Sequence, residues 1–168
     1  QVGRSDLAGR VWITNFIFTH CADTCPLQSA QMAKLQADFA EGKDLRLISI
    51  TVDPERDTVL VLSQYAKRYG ADPERWLFLT GEKKTIYRLA LESFRLSVVD
   101  PAEGVKSWFL GPLPLLAHHG EMGKQFIHSS RFVLVDRQAG IRGYYHSNEE
   151  ESLRRLRRDA HALLRGEK

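Results

Sequence analysis

Both cysteines of the chain lie within one short segment, residues 15–26 (NFIFTHCADTCP), and three residues separate Cys21 from Cys25. Two thiols this close together can form a disulfide, exchange disulfides with another protein, or bind a soft metal ion such as Cu(I). The pair lies where an apolar run ends and a helix-like pattern begins. That position disfavours the alternative of two buried, inert structural cysteines, because thiols at helix starts become reactive.

Cys25 directly precedes Pro26, a residue that suits the first turn of a helix. We therefore expect Cys25 at a helix N-terminus, where free N–H groups and the helix dipole stabilise a thiolate. Cys21 lies one loop back and can reach the same point. The gap between the cysteines is wider than in ordinary disulfide oxidoreductases, and it allows either a disulfide or a metal ion shared by both sulfurs.

The elements that position these cysteines follow from hydrophobic periodicity and turn residues. Strands are predicted at residues 11–18, 45–52, 76–79, 131–135 and 141–145. Helices are predicted from 27 to a stop at Gly42, from a cap at Asp57 or Thr58 to 69, and at 82–94 and 149–164. This alternation predicts an α/β, thioredoxin-like fold, with a central mixed sheet and helices on both faces. Residues 97–126, rich in Gly, Pro and His, form an insertion before the final β-hairpin.

Composition narrows the function classes. A length of 168 residues fits one domain, so we expect residues 1–168 to form a single thioredoxin-like domain. The net charge of +3 is too small to indicate a nucleic-acid partner. No run reaches the roughly 18 apolar residues of a membrane span. The chain begins at Gln1 without an initiator Met, and we expect it to be trimmed, with a native N-terminal membrane anchor missing.

A metal site needs a third ligand, and His128 is the leading candidate among six histidines. It precedes the strand that begins near residue 131, and in a thioredoxin-like sheet the loop before that strand packs beside the cysteine loop. A histidine that bonds only nearby backbone is the alternative. His118 and His119 in the insertion are either an accessory site or solvated residues. His20 lies beside Cys21. We expect its side chain either to contact a metal ligand without binding the metal itself or to lie on the surface.

The remaining histidines and both methionines have plainer interpretations. His146 and His161 are predicted to lie on the surface. Met32 has helical spacing and is predicted to lie in the core, whereas Met122 offers either a soft thioether ligand or an apolar contact.

Two aspartates and a run of arginines complete the candidates. Asp53 and Asp57 are expected to serve turns and helix caps, with support of a metal ligand as the alternative. The arginines at positions 154, 155, 157 and 158 are expected to form a solvated helix face, with an acidic partner or lipid headgroups as the alternative.

The chain resembles the Sco/SenC family. The resemblance rests on FTHCADTCP (residues 18–26), on ITVDPERDT (residues 50–58), and on the lone His128 before a hydrophobic strand. It covers nearly the whole chain, and the first two motifs together are highly specific. Two departures are that Ile127 stands where many relatives have Asp, and that Val59 stands where proline is common.

The resemblance implies a thioredoxin-like fold and copper binding through Cys21, Cys25 and His128. It further implies delivery of copper to the dinuclear copper site of cytochrome c oxidase subunit II, or reduction of that site's thiols. Cu(I) is the first expectation and Cu(II) the second, with another copper protein as an alternative recipient and a thioredoxin-like protein as the reductant. Members are usually tethered by an N-terminal membrane helix, on the bacterial periplasmic side or in the mitochondrial intermembrane space.

Three functions therefore stay open, and fold alone cannot choose between them. The leading hypothesis is a copper chaperone whose redox-active pair, Cys21 and Cys25, loses its metal when it is oxidised to a disulfide. The second is a thiol-disulfide oxidoreductase that reduces a partner without metal, and the third, weaker one is a peroxidase. His128 discriminates between the first two, because only the chaperone needs it.

Overall fold

The structure, a computed structural model, describes residues 2–22, 24–40, 44–96 and 130–166. Its strands are β1 (Val11–Ile17), β2 (Leu45–Thr51), β3 (Trp76–Leu79), β4 (Arg131–Val135) and β5 (Ile141–His146). Its helices are α1 (Arg4–Leu7), α2 (Thr24–Asp38), α3 (Val59–Arg68), α4 (Lys83–Arg88), which continues as a π-helical turn (Leu89–Ser93), and α5 (Glu150–Arg165). Every predicted strand is present, and α1 is an additional short helix.

The sheet has the strand order β3-β2-β1-β4-β5. β1 pairs with β2 in parallel and β2 with β3 in parallel, whereas β4 is antiparallel to both β1 and β5. This confirms the predicted mixed, thioredoxin-like sheet with a closing hairpin. β1 is buried along its whole length, which explains why its sequence is nearly continuous in apolar and β-branched residues.

Two apolar clusters cover the two faces of the sheet. Because side chains alternate along a strand, Val11 and Ile13 of β1 belong to one cluster and Trp12 and Phe16 to the other. The first cluster is completed by α2 and α5, through Met32, Leu35, Phe39, Leu153, Leu156 and Ala160. The second is completed by α4 and the π-helical turn, through Ile86, Ala90, Phe94 and Leu96. Helices therefore pack on both faces, and Met32 is a core residue, as predicted.

Helix α2 differs from the prediction in its limits and in its buried face. It begins at Thr24 and ends at Asp38, so it starts before Pro26 and stops short of the predicted end at residue 42. Its buried positions are Cys25, Gln28, Ser29, Met32 and Leu35. Leu27, predicted to lie on the apolar face, is 44% exposed. Gln28 and Ser29 are polar, yet they are buried on this face because they form hydrogen bonds with polar side chains of the sheet and of α3.

The helix predicted at residues 82–94 is α-helical only as far as Arg88. Its last turn is widened, and the N–H of Phe94 donates to the carbonyl of Leu89 over 3.0 Å. The widened turn carries Phe94 over the sheet, where its ring packs edge-on against Trp12 and Phe16, with centroids 5.9 and 5.5 Å away. Tertiary aromatic packing thus accompanies the departure from α-helical geometry.

The insertion predicted at residues 97–126 lies outside the described residues. Within the described part of the chain, no helix is long and apolar enough to cross a bilayer.

Candidate functional site

The two cysteines lie at the carboxyl end of β1, as predicted from the sequence. β1 ends at Ile17, a short loop carries Cys21, and Cys25 occupies the first turn of α2. Both thiols are reduced in the structure. The N–H of Cys21 donates to the carbonyl of Phe18 over 3.2 Å, which folds the loop back on itself. The loop therefore presents both sulfurs to one small region between β1, α2 and α3.

The two sulfurs differ in their environments. The backbone N–H of Cys25 donates to Sγ of Cys21 over 3.5 Å, so a helix N-terminal donor faces the Cys21 sulfur. Cys21 is 9% exposed, whereas Cys25 has no exposed surface. Cys21 is therefore the outer thiol of the pair, and Cys25 is the inner one.

The expectation of a stabilised thiolate at Cys25 is wrong. Burial raises the pKa of the Cys25 thiol far above its usual range, and a hydrogen bond with the backbone of Phe18 only partly opposes this effect. Contact with Cys21 and the negative charge of Asp57 raise the pKa further. The helix position of Cys25 was predicted correctly, but loss of hydration outweighs the helix dipole at this depth.

Tyr65 of α3 forms part of the wall around the thiols and was not singled out from the sequence. It shares a buried cluster with Ile17, Cys21 and Cys25. Its hydroxyl lies 3.0 Å from the hydroxyl of Ser29, one turn after Cys25 on α2. Burial is the main cause that raises the pKa of the Tyr65 phenol, so the phenol stays neutral beside the cysteines. The helical spacing of Tyr65 with Leu62 was the only sequence signal that could have placed it inside.

A buried chain of polar side chains anchors α2 beneath the cysteines. The indole N–H of Trp76 donates to Oγ of Ser49 at 3.0 Å, and Ser49 donates to Oδ1 of Asn15 at 2.8 Å. Nδ2 of Asn15 then donates to Oε1 of Gln28 at 2.9 Å. This series of hydrogen bonds crosses β3, β2 and β1 and ends on α2, three residues after Cys25. Since these buried groups satisfy one another, they fix the start of α2 against the sheet.

Asp57 holds the loop that precedes the cysteines. Its Oδ2 accepts from the backbone N–H of Thr19 at 3.0 Å and from the hydroxyl of Thr51 at 2.5 Å. Its Oδ1 accepts from the hydroxyl of Thr19 at 2.5 Å. Thr58, and not Asp57, caps α3 by accepting from the N–H of Val61. The expected cap duty therefore falls to the neighbouring residue, while Asp57 reaches across to the cysteine loop.

His20 and Asp53 lie beside this arrangement in minor roles. The side chain of His20 is 64% exposed, and its Nδ1 lies 4.0 Å from Oδ1 of Asp57. This agrees with the predicted surface or supporting position. Asp53 serves its turn as expected, since its carbonyl accepts from the N–H groups of Arg56 and Asp57.

The remaining candidates on described elements have structural roles. His161 is exposed and stacks on Phe39 with centroids 4.5 Å apart, in agreement with the predicted surface position. His146 is half-buried at the end of β5, so its predicted surface position is only partly right. Three of the α5 arginines pair with carboxylates, as on a solvated helix face: Arg154 with Glu151, Arg157 with Asp38, and Arg158 with Asp159.

His128 lies outside the described residues, as do His118, His119 and Met122. Within the described ranges, no cluster of three or more His, Cys, Asp or Glu side chains forms a metal site. The position of β4 bears on His128 indirectly. Because β4 runs antiparallel to β1, with Trp12 opposite Val135 and Thr14 opposite Val133, its first residue lies towards the end of the sheet that carries the cysteines.

The donor chemistry of the pair suits a soft cation. Two thiols a short loop apart can both become thiolates when a metal replaces their protons. The site is screened from water by Tyr65 and Ile17, which disfavours a hard, strongly hydrated ion. The same two sulfurs can also lose two electrons and two protons together to form a disulfide.

The family model described as SCO1/SenC matches residues 1–164. A relative, the SCO1 protein homolog of Bacillus subtilis, is 37% identical over 137 residues, which are 80% of this chain and 61% of that protein. The chain thus spans less than two thirds of the length of this relative.

Two solved structures extend the likeness to three dimensions. One is BsSco, described as having a disulfide switch and as a member of the Sco family of cytochrome c oxidase assembly proteins. It is 31% identical with a TM-score of 0.75, and the match covers 98% of this chain and 85% of BsSco. The other is Arabidopsis thaliana ScoI with copper bound, 25% identical with a TM-score of 0.68, covering 93% of this chain and 86% of that one.

Proposed function

The chain belongs to the SCO1/SenC family, and on that premise we propose that it captures copper and passes it to the dinuclear copper site of cytochrome c oxidase subunit II. Cys21, Cys25 and His128 are the proposed ligands. The observation that carries the proposal is the convergence of both sulfurs on the first turn of α2, with the N–H of Cys25 donating to Sγ of Cys21. Copper-bound ScoI of Arabidopsis thaliana, similar over most of its length, supports copper as the cargo.

His128 is proposed as the third ligand because of its place in the chain. It precedes the start of β4 by three residues, and that start lies towards the cysteine end of the sheet. An imidazole nitrogen joins two thiolates in a donor set that suits copper. The pair alone offers two ligands, and a third completes a trigonal site.

Capture begins with the inner thiol, Cys25, protonated at neutral pH. Burial keeps the pKa of Cys25 high, so Cu(I) must displace the proton of that thiol as it binds. A partner with its own thiolates then takes the ion by exchanging ligands one at a time. Oxidation of the pair by a partner disulfide, which takes up two electrons and two protons and becomes two thiols, leaves no thiolate for copper, so the redox state controls loading.

The proposed setting is the bacterial periplasmic side of the inner membrane, with tethering by an N-terminal anchor and the mitochondrial intermembrane space as the alternative. A thioredoxin-like reductant is proposed to keep the pair reduced. The net charge of +3 is too small to indicate a nucleic-acid partner.

A thiol-disulfide oxidoreductase is the second candidate function. The observation that favours it is that the backbone N–H of Cys25 donates to Sγ of Cys21, so the two cysteines lie together and can be oxidised and reduced as a pair. The disulfide switch described for BsSco also supports this alternative. In this role the outer thiol, Cys21, would attack a partner disulfide, and Cys25 would release the partner.

The deciding experiment is a titration of reduced protein with Cu(I) against a competing chelator. We expect Cys21→Ser, Cys25→Ser and His128→Ala to weaken binding, whereas His161→Ala, a change at an exposed histidine on α5, leaves it unchanged. Equal affinity in His128→Ala and the unchanged chain would contradict the three-ligand site. If that variant also reduces a partner disulfide at a normal rate without copper, the oxidoreductase is the better description.

A further inference from the structure

Asp57 is the one buried carboxylate that contacts the cysteine loop in the described part of the chain. We propose that Asp57 is a positioning residue which, by clamping Thr19, holds Cys21 and Cys25 at the separation that both copper capture and disulfide formation require. The proposal deepens the proposed function and rests on it for the role of copper. Its geometry stands on three hydrogen bonds and on the place of Asp57 in the fold.

The clamp joins two segments that are far apart in sequence. Thr19 and Asp57 are 38 positions apart, yet both groups that Thr19 can donate, its N–H and its hydroxyl, go to the Asp57 carboxylate. Asp57 has no exposed surface, so its carboxylate is screened from bulk water. Hydrogen bonds to a desolvated carboxylate are stronger than those between neutral groups. Thr19 is therefore held at two points.

Thr51 orients the carboxylate. It is the last residue of β2, and its hydroxyl donates to Oδ2, the oxygen that also receives the Thr19 N–H. Asp57 thus accepts from the ends of two neighbouring parallel strands, β1 through Thr19 and β2 through Thr51. Thr51 ends β2 and Thr19 lies two residues after β1, so the carboxylate ties the cysteine loop to the carboxyl end of the sheet.

The hold on Thr19 is transmitted to the sulfurs through one short turn. Phe18, next to Thr19, accepts from the N–H of Cys21 at 3.2 Å, and its backbone also bonds the sulfur of Cys25. Moving Thr19 therefore moves a residue that touches both cysteines. α2 is held separately by Gln28, so the clamp sets the loop sulfur of Cys21 relative to an already anchored Cys25.

A fixed separation has a measurable consequence that needs no copper. Two thiols held close together form a disulfide more readily than two mobile thiols, because folding has already removed the conformational freedom that disulfide formation would otherwise remove. In a glutathione buffer the pair gives two electrons and two protons to oxidised glutathione, which becomes two reduced glutathione molecules. The equilibrium constant of that exchange measures how well the sulfurs are held.

The experiment compares a matched pair of variants at Thr19, one variant at Asp57 and two controls in the full chain. Thr19→Val removes the hydroxyl donor while keeping the shape and the N–H, and Thr19→Ser keeps the hydroxyl. Asp57→Asn keeps the size but replaces one acceptor oxygen with a donor. Two controls remove hydrogen bonds that do not involve Thr19. Thr58→Ala removes the cap of α3 next to Asp57, and Tyr145→Phe removes the hydroxyl of edge strand β5 that donates to Asp159.

We expect Thr19→Val to lower the equilibrium constant for the Cys21–Cys25 disulfide by about tenfold, the effect of one hydrogen bond to a charged group. Asp57→Asn lowers it at least as much, and the double variant adds little because both changes break the same contact. Thr19→Ser stays within about twofold of the unchanged chain, as do both controls. Thermal unfolding of each reduced variant separates this effect from general destabilisation.

The proposal would be overturned if the disulfide equilibrium constants of Thr19→Val and Asp57→Asn stay within about twofold of that of the unchanged chain. It would also be overturned if a control variant as stable as these two lowers the constant equally. Cu(I) titrations of the same variants test the link to copper. If the unchanged chain binds no Cu(I), the proposed function fails, while the glutathione equilibrium still decides the role of Asp57.

Discussion

The backbone N–H of Cys25 donates a hydrogen bond to the sulfur of Cys21 over 3.5 Å. This N–H, at the start of α2, therefore donates to the sulfur of Cys21, which precedes the helix, and not to the sulfur of Cys25, which lies within it. Cys25 itself points inward and has no exposed surface. This relationship makes the pair chemically unequal, and the first prediction depends on it.

Cys21 should react with alkylating agents before Cys25. We expect the Cys25→Ser variant, which keeps Cys21, to react with iodoacetamide about tenfold faster than the Cys21→Ser variant at mildly alkaline pH. The reasons are access and the raised pKa of Cys25. Intact-protein mass spectrometry over time measures both rates. A faster reaction at Cys25 would contradict the assignment of Cys21 as the outer, more reactive thiol.

Cu(I) affinity should rise with pH. Because burial raises the pKa of Cys25, this thiol is protonated through the neutral range, and copper must displace its proton. One displaced proton makes the apparent affinity rise about tenfold per pH unit. Competition titrations between about pH 6 and pH 8 measure the slope. Cys25→Ser should bind more weakly and with a shallower slope, and equal slopes in the two proteins would contradict a proton held at Cys25.

The reduced protein should lose stability in alkali. The pKa of Cys25 is raised in the fold from the ordinary 9.0, so above that pH the folded state holds a proton that the unfolded state has lost. This contribution is fully present below pH 9 and falls by up to about 1.4 kcal/mol per pH unit above it.

Urea unfolding at several pH values tests this prediction. Tyr65, whose pKa is raised from 10.0, adds a second loss at higher pH. Cys25→Ala should therefore remove the part of the slope that begins near pH 9, and Tyr65→Phe the later part. A slope that is the same in Cys25→Ala and the unchanged chain would exclude Cys25 as its source.

The buried polar chain should be essential to the stability of the fold. Asn15→Ala removes the buried amide that donates to Gln28 and accepts from Ser49, and we expect the free energy of unfolding to fall by about 2–4 kcal/mol. Thr85→Ala breaks an exposed contact with Glu82 and should change it by less than about 0.5 kcal/mol. Urea unfolding followed by circular dichroism compares them. A small loss in Asn15→Ala would mean that water replaces the missing amide.

Much of the fold was readable from local patterns. The five strands, a cap of α3 at Asp57 or Thr58, and the presence of Cys25 at the start of α2 depend on residues close together in sequence. All three predictions are confirmed, and the structure places the cap at Thr58. The motif around Cys21 and Cys25, together with the one at residues 50–58, was sufficient to indicate the family. The assignment of His128 as a ligand stays a prediction.

Tertiary structure alone decided how the two thiols differ. Whether Cys25 is charged depends on how much water the fold removes from it, and that depends on Tyr65, forty residues further along the chain. The role of Asp57 depends on the parallel pairing of β1 with β2, which brings Thr19 and Thr51 to the same edge of the sheet. Sequence periodicity reports which residues face inward, whereas the identity of the neighbours they meet there is set by contacts between distant segments.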